Sequence, residues 1–358
     1  MDWDTKIYVA GHRGLVGSAI WNNLIQKGYI RLVGRTHAEL DLLDPVAVRR
    51  FFDEEHPEVV ILAAAHVGGI MANLTYRADF IWQNLQIQQN VIGESFRHGV
   101  QKLVFLGSTC IYPREAPQPM TEDALLTSAL EYTNEPYAIA KIAGLKLCES
   151  FNLQYGTNYI AVMPTNLYGP NDNFHLENSH VLPAMLRKIY LAKCLSEDNW
   201  EAVGQDLSLR PVEGVDGTAS RADQLAVLAR YGIAPGMVTL WGTGAPLREF
   251  LWSEEMADAT VFVMEHVDFR DTYTSEATDI RNCHINIGTG KEISIRCLAE
   301  LIAGTVGFEG KICWDASKPD GTMRKLTDVT KLHRLGWHHH IDIEEGVRRM
   351  YAWYVNAR

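Results

Sequence analysis

The sequence of 358 residues predicts an α/β protein, with a doubly wound parallel sheet and a second, smaller α/β domain. A short apolar segment runs directly into a glycine-rich loop and then into residues at helical spacing. Further apolar segments, Val59–Ala63 and Leu103–Leu106, alternate with helical patterns, as parallel strands covered on both faces do. The length exceeds that of one typical core, so two domains are expected.

Composition argues against several classes of function. Hydrophobic residues make up 47% and charged residues 22% of the chain, which is ordinary for a globular protein. The net charge is −11 and no basic run is present, so we expect neither nucleic acid nor a membrane as partner. No apolar run is long enough to span a membrane, the first residues do not resemble a signal peptide, and the cysteines are scattered. We therefore expect a cytoplasmic protein with free thiols.

The first apolar segment, Lys6–Ala10, leads into a glycine loop. The loop residues are Gly11, His12, Arg13, Gly14, Leu15, Val16 and Gly17. A strand, a Gly-x-x-Gly-x-x-Gly loop and a helix in this order are typical of a Rossmann-type dinucleotide site. The glycines let the backbone approach a pyrophosphate, which then lies at the helix N-terminus. The alternative interpretation is an ordinary strand-to-helix turn.

The residue after the second predicted strand, Ile30–Gly34, indicates which dinucleotide binds. An acidic side chain there would accept a hydrogen bond from the 2′-hydroxyl of NAD. The sequence continues instead with Arg35. A cation suits a 2′-phosphate, so NADP (NADPH) is the expected cofactor. The alternative for Arg35 is a surface position without a ligand.

Tyr137 and Lys141 lie four residues apart in a helical pattern that begins after Pro136, so their side chains share one face. An ammonium beside a phenol favours the phenolate, so we expect a lowered pKa for Tyr137. Ser108 follows the strand Leu103–Leu106, where ligands of doubly wound sheets bind. Ser108, Tyr137 and Lys141 together predict carbonyl reduction, with a proton from the tyrosine and a hydride from a nicotinamide. A chance Tyr-x-x-x-Lys pair is the alternative.

Longer motifs give the chain a specific resemblance. They are His66–Ile70, Ser108–Pro113, Asn134–Lys141, Pro164–Pro170, Asp172–His175, Asn178–Val181, Arg248–Phe250 and Lys318–Thr322. Through them nearly the whole chain resembles the extended short-chain dehydrogenase/reductase family, and within it the epimerase-reductases of GDP-sugars. The resemblance implies conversion of GDP-4-keto-6-deoxy-D-mannose to GDP-L-fucose, by epimerisation at C3 and C5 and reduction of the C4 ketone with NADPH. It also implies cofactor contacts at Leu106, Gly107, Ser108, Thr109, Lys141, Pro164, Thr165, Asn166, Leu167 and His180.

The resemblance assigns the proton transfers at C3 and C5 to Cys110 and His180. Epimerisation next to a ketone needs a base and an acid on opposite faces, and a thiolate and an imidazole suit these roles. Related sugar dehydratases carry Asp-Glu where Thr109–Cys110 stands, and ordinary 4-epimerases need no base at these carbons. The cysteine therefore separates an epimerase-reductase from both. Taken alone, Cys110 would be a small buried apolar residue and His180 a surface histidine.

The resemblance also assigns the contacts with the GDP-sugar. They are Lys188, Trp241, Arg248 and Asp320. Cationic side chains suit a diphosphate, whereas Trp241 either stacks on the ligand or fills core. We expect an NADP-binding domain at 1–168 plus about 253–290, and a substrate domain at about 169–252 plus 291–358. The histidines at 338–340 are expected in a solvated loop, with no metal site.

Two features leave alternatives open. An extra stretch at about 194–237, with a helix ending at Gly232, either caps the substrate cleft or forms a subunit contact. Apolar residues on two predicted helices, near 76–98 and 137–155, predict a homodimer through a four-helix bundle. These residues are Ile81, Leu85, Leu145 and Phe151. Two other functions remain: a related nucleotide-sugar epimerase or reductase acting on another sugar, and a catalytically silent NADP-sensing protein.

Overall fold

The structure is a computed structural model that describes residues 1–356 except 177, 275, 277 and 319. Its strands are β1 (Ile7–Ala10), β2 (Leu32–Val33), β3 (Val59–Leu62), β4 (Lys102–Leu106), β5 (Tyr159–Pro164), β6 (Asn166–Tyr168), β7 (Ile233–Ala234), β8 (Met237–Trp241), β9 (Leu247–Arg248), β10 (Phe250–Trp252), β11 (Ile285–Ile287), β12 (Ile293–Ser294), β13 (Lys311–Asp315) and β14 (Arg324–Lys325). Its α-helices are α1 (Leu15–Gln26), α2 (Pro45–Glu55), α3 (Ile70–Thr75), α4 (Arg77–Arg97), α5 (Glu135–Tyr155), α6 (Val181–Ser196), α7 (Trp200–Leu209), α8 (Arg221–Arg230), α9 (Ser253–His266), α10 (Ile295–Val306), α11 (Thr330–Leu335) and α12 (Ile343–Asn356).

Six parallel strands form the main sheet in the order β11-β5-β4-β3-β1-β2. Side chains of one strand alternate between two apolar clusters, one on each face of the sheet. Ile7 and Val9 of β1 pack with α1 and α9, whereas Tyr8 and Ala10 pack with α2, α4 and α5. Both faces are therefore covered by helices, and the predicted doubly wound α/β fold is confirmed.

The chain divides into two compact units. The first contains Met1–Leu167, Glu249–Lys291 and Leu326–His340, and the second contains Tyr168–Arg248, Glu292–Lys325 and Ile341–Arg358. Residues 326–340 and 249–252, which were expected in the substrate domain, lie in the first unit. Two contacts with residues distant in the chain hold the segment 326–340 there: Leu326 accepts a hydrogen bond from the N–H of Met120 at 2.8 Å, and Thr327 donates to the buried carboxylate of Glu249.

The second unit holds two three-stranded sheets, β12-β9-β14 and β13-β8-β7. The extra stretch at about 194–237 forms α7 and α8, joined through an isolated bridge between Val212 and Val215. Helix α8 ends at Arg230, close to the predicted end at Gly232. The histidines at 338–340 lie in irregular structure ahead of α12, as expected.

Some of the apolar residues expected at a dimer interface are buried inside the chain. Leu145 is 2% exposed and belongs to the core under the sheet, so it is not available to a second chain. Phe151 packs against Phe96, with ring centroids 4.7 Å apart. Other side chains of α4 and α5 carry the exposed apolar surface, among them Trp82 (58% exposed) and Leu153 (51%).

Candidate functional site

The loop between β1 and α1 depends on its glycines. Gly11 has a φ of +84°, and a Cβ there would lie 2.8 Å from the backbone nitrogen of Ala64 beyond β3. A Cβ on Gly17 would lie 2.0 Å from the carbonyl oxygen of Gly11. Within the described residues, no side chain caps α1 at Gly14 and no acidic residue stands in its first turn. The helix therefore offers N–H donors to an anion, so the loop fits the pyrophosphate of a dinucleotide.

Arg35 lies just beyond β2 and forms an ion pair with Glu55. Its guanidinium donates to the carboxylate of Glu55, which also lies 2.7 Å from Lys6. Arg13 of the glycine loop and Arg35 both influence His12, whose pKa is lowered by burial first and then by Arg13. Arg13 is thus a second arginine close to His12, besides Arg35, which the sequence argument singled out.

Ser108 and Cys110 lie in the turn that follows β4. Ser108 is the N-cap residue of a 3-10 helix, Thr109–Ile111, and its hydroxyl accepts a hydrogen bond from the backbone N–H of Cys110 at 3.3 Å. A Cβ on Gly107 would lie 2.3 Å from the sulfur of Met163, so the end of that methionine would have to move to accept one. The thiol of Cys110 is buried, with 6% of the residue exposed. The hydroxyl and the thiol are therefore held two residues apart at the carboxyl end of a central strand.

Tyr137 and Lys141 lie in the first turns of α5, which begins with Glu135 and Pro136. Lys141 is 3% exposed, and its Nζ donates to the carbonyl oxygen of Leu106 at 2.9 Å. The same Nζ lies 5.7 Å from the centroid of the Tyr137 ring. A thiolate at Cys110 would raise the pKa of both Tyr137 and Lys141, so the three side chains share one neighbourhood.

The expected lowering of the Tyr137 pKa is wrong for this structure. Burial raises the pKa of the phenol, and the Cys110 thiolate adds to that effect. Burial also lowers the pKa of Lys141 to about 8. The ammonium is directed at the carbonyl of Leu106 and at the Phe105 ring, 4.9 Å from its centroid. Desolvation therefore dominates over the attraction between ammonium and phenolate, and Tyr137 keeps its proton at neutral pH.

His180 belongs to the second unit and begins α6 as its N-cap residue. Its carbonyl oxygen accepts the N–H of Ala184 at 3.1 Å, while its side chain does not cap the helix. The ring keeps contact with solvent, yet the surrounding protein lowers the pKa of the imidazole below its ordinary value. His180 is therefore mostly neutral at pH 7.

Two lysines of the second unit lie near the same indole. Lys188 of α6 has its Nζ 5.9 Å from the centroid of Trp241, and Lys318 has its Nζ 5.5 Å from it. Trp241 is 50% exposed, so it is not a core residue. Burial lowers the pKa of Lys188 to about 8. Sequence reasoning missed Lys318, although the Lys318–Thr322 motif contained it.

Burial lowers the pKa of Arg248, and the nearby carboxylate of Asp320 raises it in part. The carboxylate of Asp320 also accepts hydrogen bonds from the backbone N–H and the hydroxyl of Thr243, both at 2.7 Å. Asp320 thereby fixes the turn that follows β8, which the sequence did not reveal.

Glu249 was missed as well, although it stands in the Arg248–Phe250 motif. It is 0% exposed and lies in the first unit. Its Oε1 accepts the N–H groups of Thr289 and Gly290 at 2.6 and 2.7 Å, and its Oε2 accepts the N–H of Thr327 at 3.0 Å. Its carbonyl oxygen accepts the side-chain amide of Asn166 at 2.8 Å. Glu249 therefore anchors the segment Pro164–Leu167, which sequence analysis assigned to the cofactor.

Among the residues that the structure describes, no group of three or more His, Cys, Asp or Glu side chains could hold a metal ion. Within the same residues, every helix is too short or too polar to cross a lipid bilayer. All six cysteines are free thiols.

Comparison with known protein families gives one match across most of the chain. Residues 7–222 and 213–288 match the NAD dependent epimerase/dehydratase family. The chain is 51% identical to "GDP-L-fucose synthase 1" of Arabidopsis thaliana over 354 residues, which covers 99% of this chain and 94% of that protein. It is 50% identical to "GDP-L-fucose synthase" of Escherichia coli (strain K12) over 350 residues, covering 98% of this chain and 96% of that protein.

Among solved structures, one similar chain is a GDP-D-glycero-L-gluco-heptose synthase from Campylobacter jejuni, crystallised in the presence of NADPH. It is 43% identical, with a TM-score of 0.91, and the match covers 99% of each chain.

Proposed function

The chain belongs to the NAD dependent epimerase/dehydratase family, and we propose on that basis that it is an NADPH-dependent epimerase-reductase converting GDP-4-keto-6-deoxy-D-mannose to GDP-L-fucose. The observation that carries the proposal is a thiol beside a reducing site. Cys110 is buried in the 3-10 helix that follows Ser108, two residues beyond that serine. A thiolate there would raise the pKa of Tyr137 and of Lys141. A reductase alone has no need of that thiol, and a dehydratase would need carboxylates there.

The reducing half of the site rests on Ser108, Tyr137 and Lys141. Bound NADPH supplies the hydride that converts the C4 ketone to an alcohol. Tyr137 gives its proton to the C4 oxygen, which suits a phenol that burial keeps protonated at neutral pH. The hydroxyl of Ser108 donates a hydrogen bond to the same oxygen and keeps its proton. Lys141, with a pKa of about 8, carries the positive charge that favours a tyrosinate once the proton has left.

The epimerising half uses Cys110 and His180. The thiolate of Cys110 removes a proton from C3 or C5, and the electron pair of the C–H bond moves into an enolate with the C4 ketone. The protonated form of His180, which is the minor form at pH 7, then gives a proton to the opposite face of the same carbon. The electron pair of the enolate forms the new C–H bond, so no electrons are lost or gained. This cycle does not consume NADPH. It can therefore be measured separately from reduction.

The glycine loop fits a pyrophosphate, and Arg35, together with Arg13, supports a 2′-phosphate and hence NADP. Lys188, Arg248 and Trp241 of the second unit would hold the GDP-sugar, through charge on the diphosphate and through an exposed indole. Asp320 keeps its proposed place in that set and also fixes the neighbouring turn. The first unit is accordingly the cofactor domain and the second the substrate domain.

A homodimer in the cytoplasm completes the proposal. Exposed apolar side chains on α4 and α5, such as Trp82, Ile139 and Leu153, support pairing of these helices between two chains. The free thiols support a reducing compartment. Light scattering at micromolar concentration should give twice the chain mass, and a monomeric mass would contradict the dimer.

A second candidate is an epimerase or reductase of a GDP-heptose, favoured by the similarity to the Campylobacter jejuni structure at 43% identity. A silent NADP sensor is disfavoured because it would have no need of Ser108, Tyr137 and Lys141, which are all present in the chain. The test is incubation with NADPH and GDP-4-keto-6-deoxy-D-mannose in D₂O, with the product identified by NMR. GDP-L-fucose carrying deuterium at C3 and C5 is expected. The second candidate would be favoured if NADPH were oxidised with a GDP-linked keto-heptose and not with this ketone.

A further inference from the structure

An ion pair between Arg187 and Asp206 lies inside the second unit. Their side chains are 0% and 3% exposed. Two nitrogens of the guanidinium, Nε and Nη2, each lie 2.9 Å from Oδ1 of Asp206. The other carboxylate oxygen accepts a hydrogen bond from the hydroxyl of Tyr354 in α12. A buried guanidinium needs such a counter-ion, so Asp206 balances the charge of Arg187 and fixes its orientation.

The same guanidinium holds the segment ahead of His180. Its Nη1 donates to the carbonyl oxygen of Phe174 at 3.1 Å. Phe174 stands six residues before His180 (174 to 180), and Arg187 stands seven residues after it (180 to 187) on the helix that His180 begins. One side chain therefore ties together the two ends of the segment that carries the proposed proton donor.

Packing around Phe174 reinforces this tie. Phe174 is 3% exposed, and its ring lies 4.7 Å from the ring of Tyr354, measured between centroids. The guanidinium of Arg210 lies 5.2 Å from the Phe174 centroid, and the Arg210 carbonyl oxygen accepts another hydrogen bond from Arg187. Asp206 and Arg210 both come from the extra stretch at about 194–237.

Helix α7 presents its inner face to this cluster. Its buried residues are Ala202, Val203, Asp206 and Leu207, which recur at helical spacing. Three of the four are apolar, and the fourth is the carboxylate that pairs with Arg187. The buried face of α7 is thus committed to its own unit, which favours neither of the two roles considered from the sequence, a cap over the cleft or a subunit contact.

We propose that Arg187 and Asp206 are positioning residues that fix His180 for epimerisation, and that the extra stretch supplies Asp206 for this purpose. The proposal rests on the proposed function, because it takes His180 as the proton donor at C3 and C5. Reduction depends instead on Ser108, Tyr137 and Lys141, which lie in the first unit. Loosening the segment ahead of His180 should therefore slow epimerisation more than reduction.

The test variant is the double substitution Arg187→Met with Asp206→Leu. Apolar residues of similar volume often replace a buried ion pair without loss of stability. They remove the hydrogen bond to Phe174 while filling the space. Arg230→Met is the matched control, because it makes the same Arg→Met change at an exposed ion pair with Glu213, in the stretch that also supplies Asp206. Circular dichroism and thermal unfolding establish that each variant is folded.

The first readout is a product ratio, measured by NMR after reaction with NADPH. It is the amount of GDP-L-fucose divided by the amount of unepimerised GDP-6-deoxyhexoses. A displacement of about 1 Å in a catalytic group can lower a rate about 100-fold, so we expect the ratio to fall at least about tenfold. A purely structural loss would lower both products together and leave the ratio unchanged. The second readout, independent of activity, is amide hydrogen exchange in the peptide that contains His180, which should become faster. Arg230→Met should match the wild type in both.

A wild-type product ratio in the folded double variant would overturn the proposal. If that variant does not fold, Asp206→Asn, which keeps the size of the side chain, decides the question by the same ratio. If the wild-type enzyme forms no epimerised product at all, the proposed function fails. Amide exchange in the peptide that contains His180 then still tests whether Arg187 and Asp206 position that segment. Exchange that stays unchanged in the double variant would count against this positioning.

Discussion

The buried carboxylate of Glu249 permits a quantitative prediction about the first unit. Its two oxygens accept backbone N–H groups of Thr289, Gly290 and Thr327, besides the hydroxyl of Thr327 at 2.6 Å. In Glu249→Gln the side chain keeps one oxygen and gains an NH₂ group. If the remaining oxygen serves Thr289 and Gly290, the new NH₂ meets the N–H of Thr327, and one buried donor loses its acceptor.

A buried donor without an acceptor costs about 1–3 kcal/mol, and hydrogen bonds to a charged group contribute more than neutral ones. We therefore expect Glu249→Gln to lower the free energy of unfolding by about 2–4 kcal/mol. Urea unfolding followed by tryptophan fluorescence measures the change. Glu115→Gln is the control, since that side chain is 82% exposed, and it should change the free energy by less than about 0.5 kcal/mol. A loss below about 1 kcal/mol in Glu249→Gln would refute the reasoning.

Three further predictions concern the site. Arg35→Ala should raise the KM for NADPH far more than that for NADH, because only NADPH carries a 2′-phosphate; equal effects in steady-state assays would remove Arg35 from this role. Tyr137→Phe should abolish reduction and leave deuterium exchange at C3 and C5 measurable, whereas loss of both activities in a folded variant would show that the phenol also stabilises the enolate. Binding of GDP, measured by calorimetry, should weaken as pH rises above 8, because Lys188 has a pKa of about 8 and loses its charge there. Lys188→Arg should keep its charge and remove most of that pH dependence, and an unchanged pH profile in this variant would contradict the assignment.

Local patterns in the sequence predicted much of the fold. The glycine loop and the apolar segments for β1, β3 and β4 depend on neighbouring residues only, so spacing and glycine positions suffice to recognise them. The elements agree within a few residues: the helix expected near 76–98 is Arg77–Arg97, and the strand expected at Val59–Ala63 is Val59–Leu62.

Properties that arise from tertiary contacts were not predictable in this way. The pKa of Tyr137 moves upward because burial dominates, and burial cannot be read from a pair of residues on one helix. Leu145 was expected at a dimer interface but lies in the core, because apolar spacing on a helix does not show which face the sheet covers. Glu249 and Thr327 are far apart in the chain, so their hydrogen bond, which draws residues 326–340 into the first unit, leaves no local pattern in the sequence.

The central claim is that the thiol of Cys110 is the base for epimerisation. The most direct measurement is incorporation of solvent deuterium at C3 and C5 of GDP-4-keto-6-deoxy-D-mannose in D₂O, followed by NMR for wild type and Cys110→Ser. General acid–base groups contribute about 10²–10⁴-fold, so exchange in the variant should fall by that factor while NADPH binding is retained. Exchange at the wild-type rate in Cys110→Ser would show that another residue removes the proton, and the epimerase half of the proposed function would be contradicted.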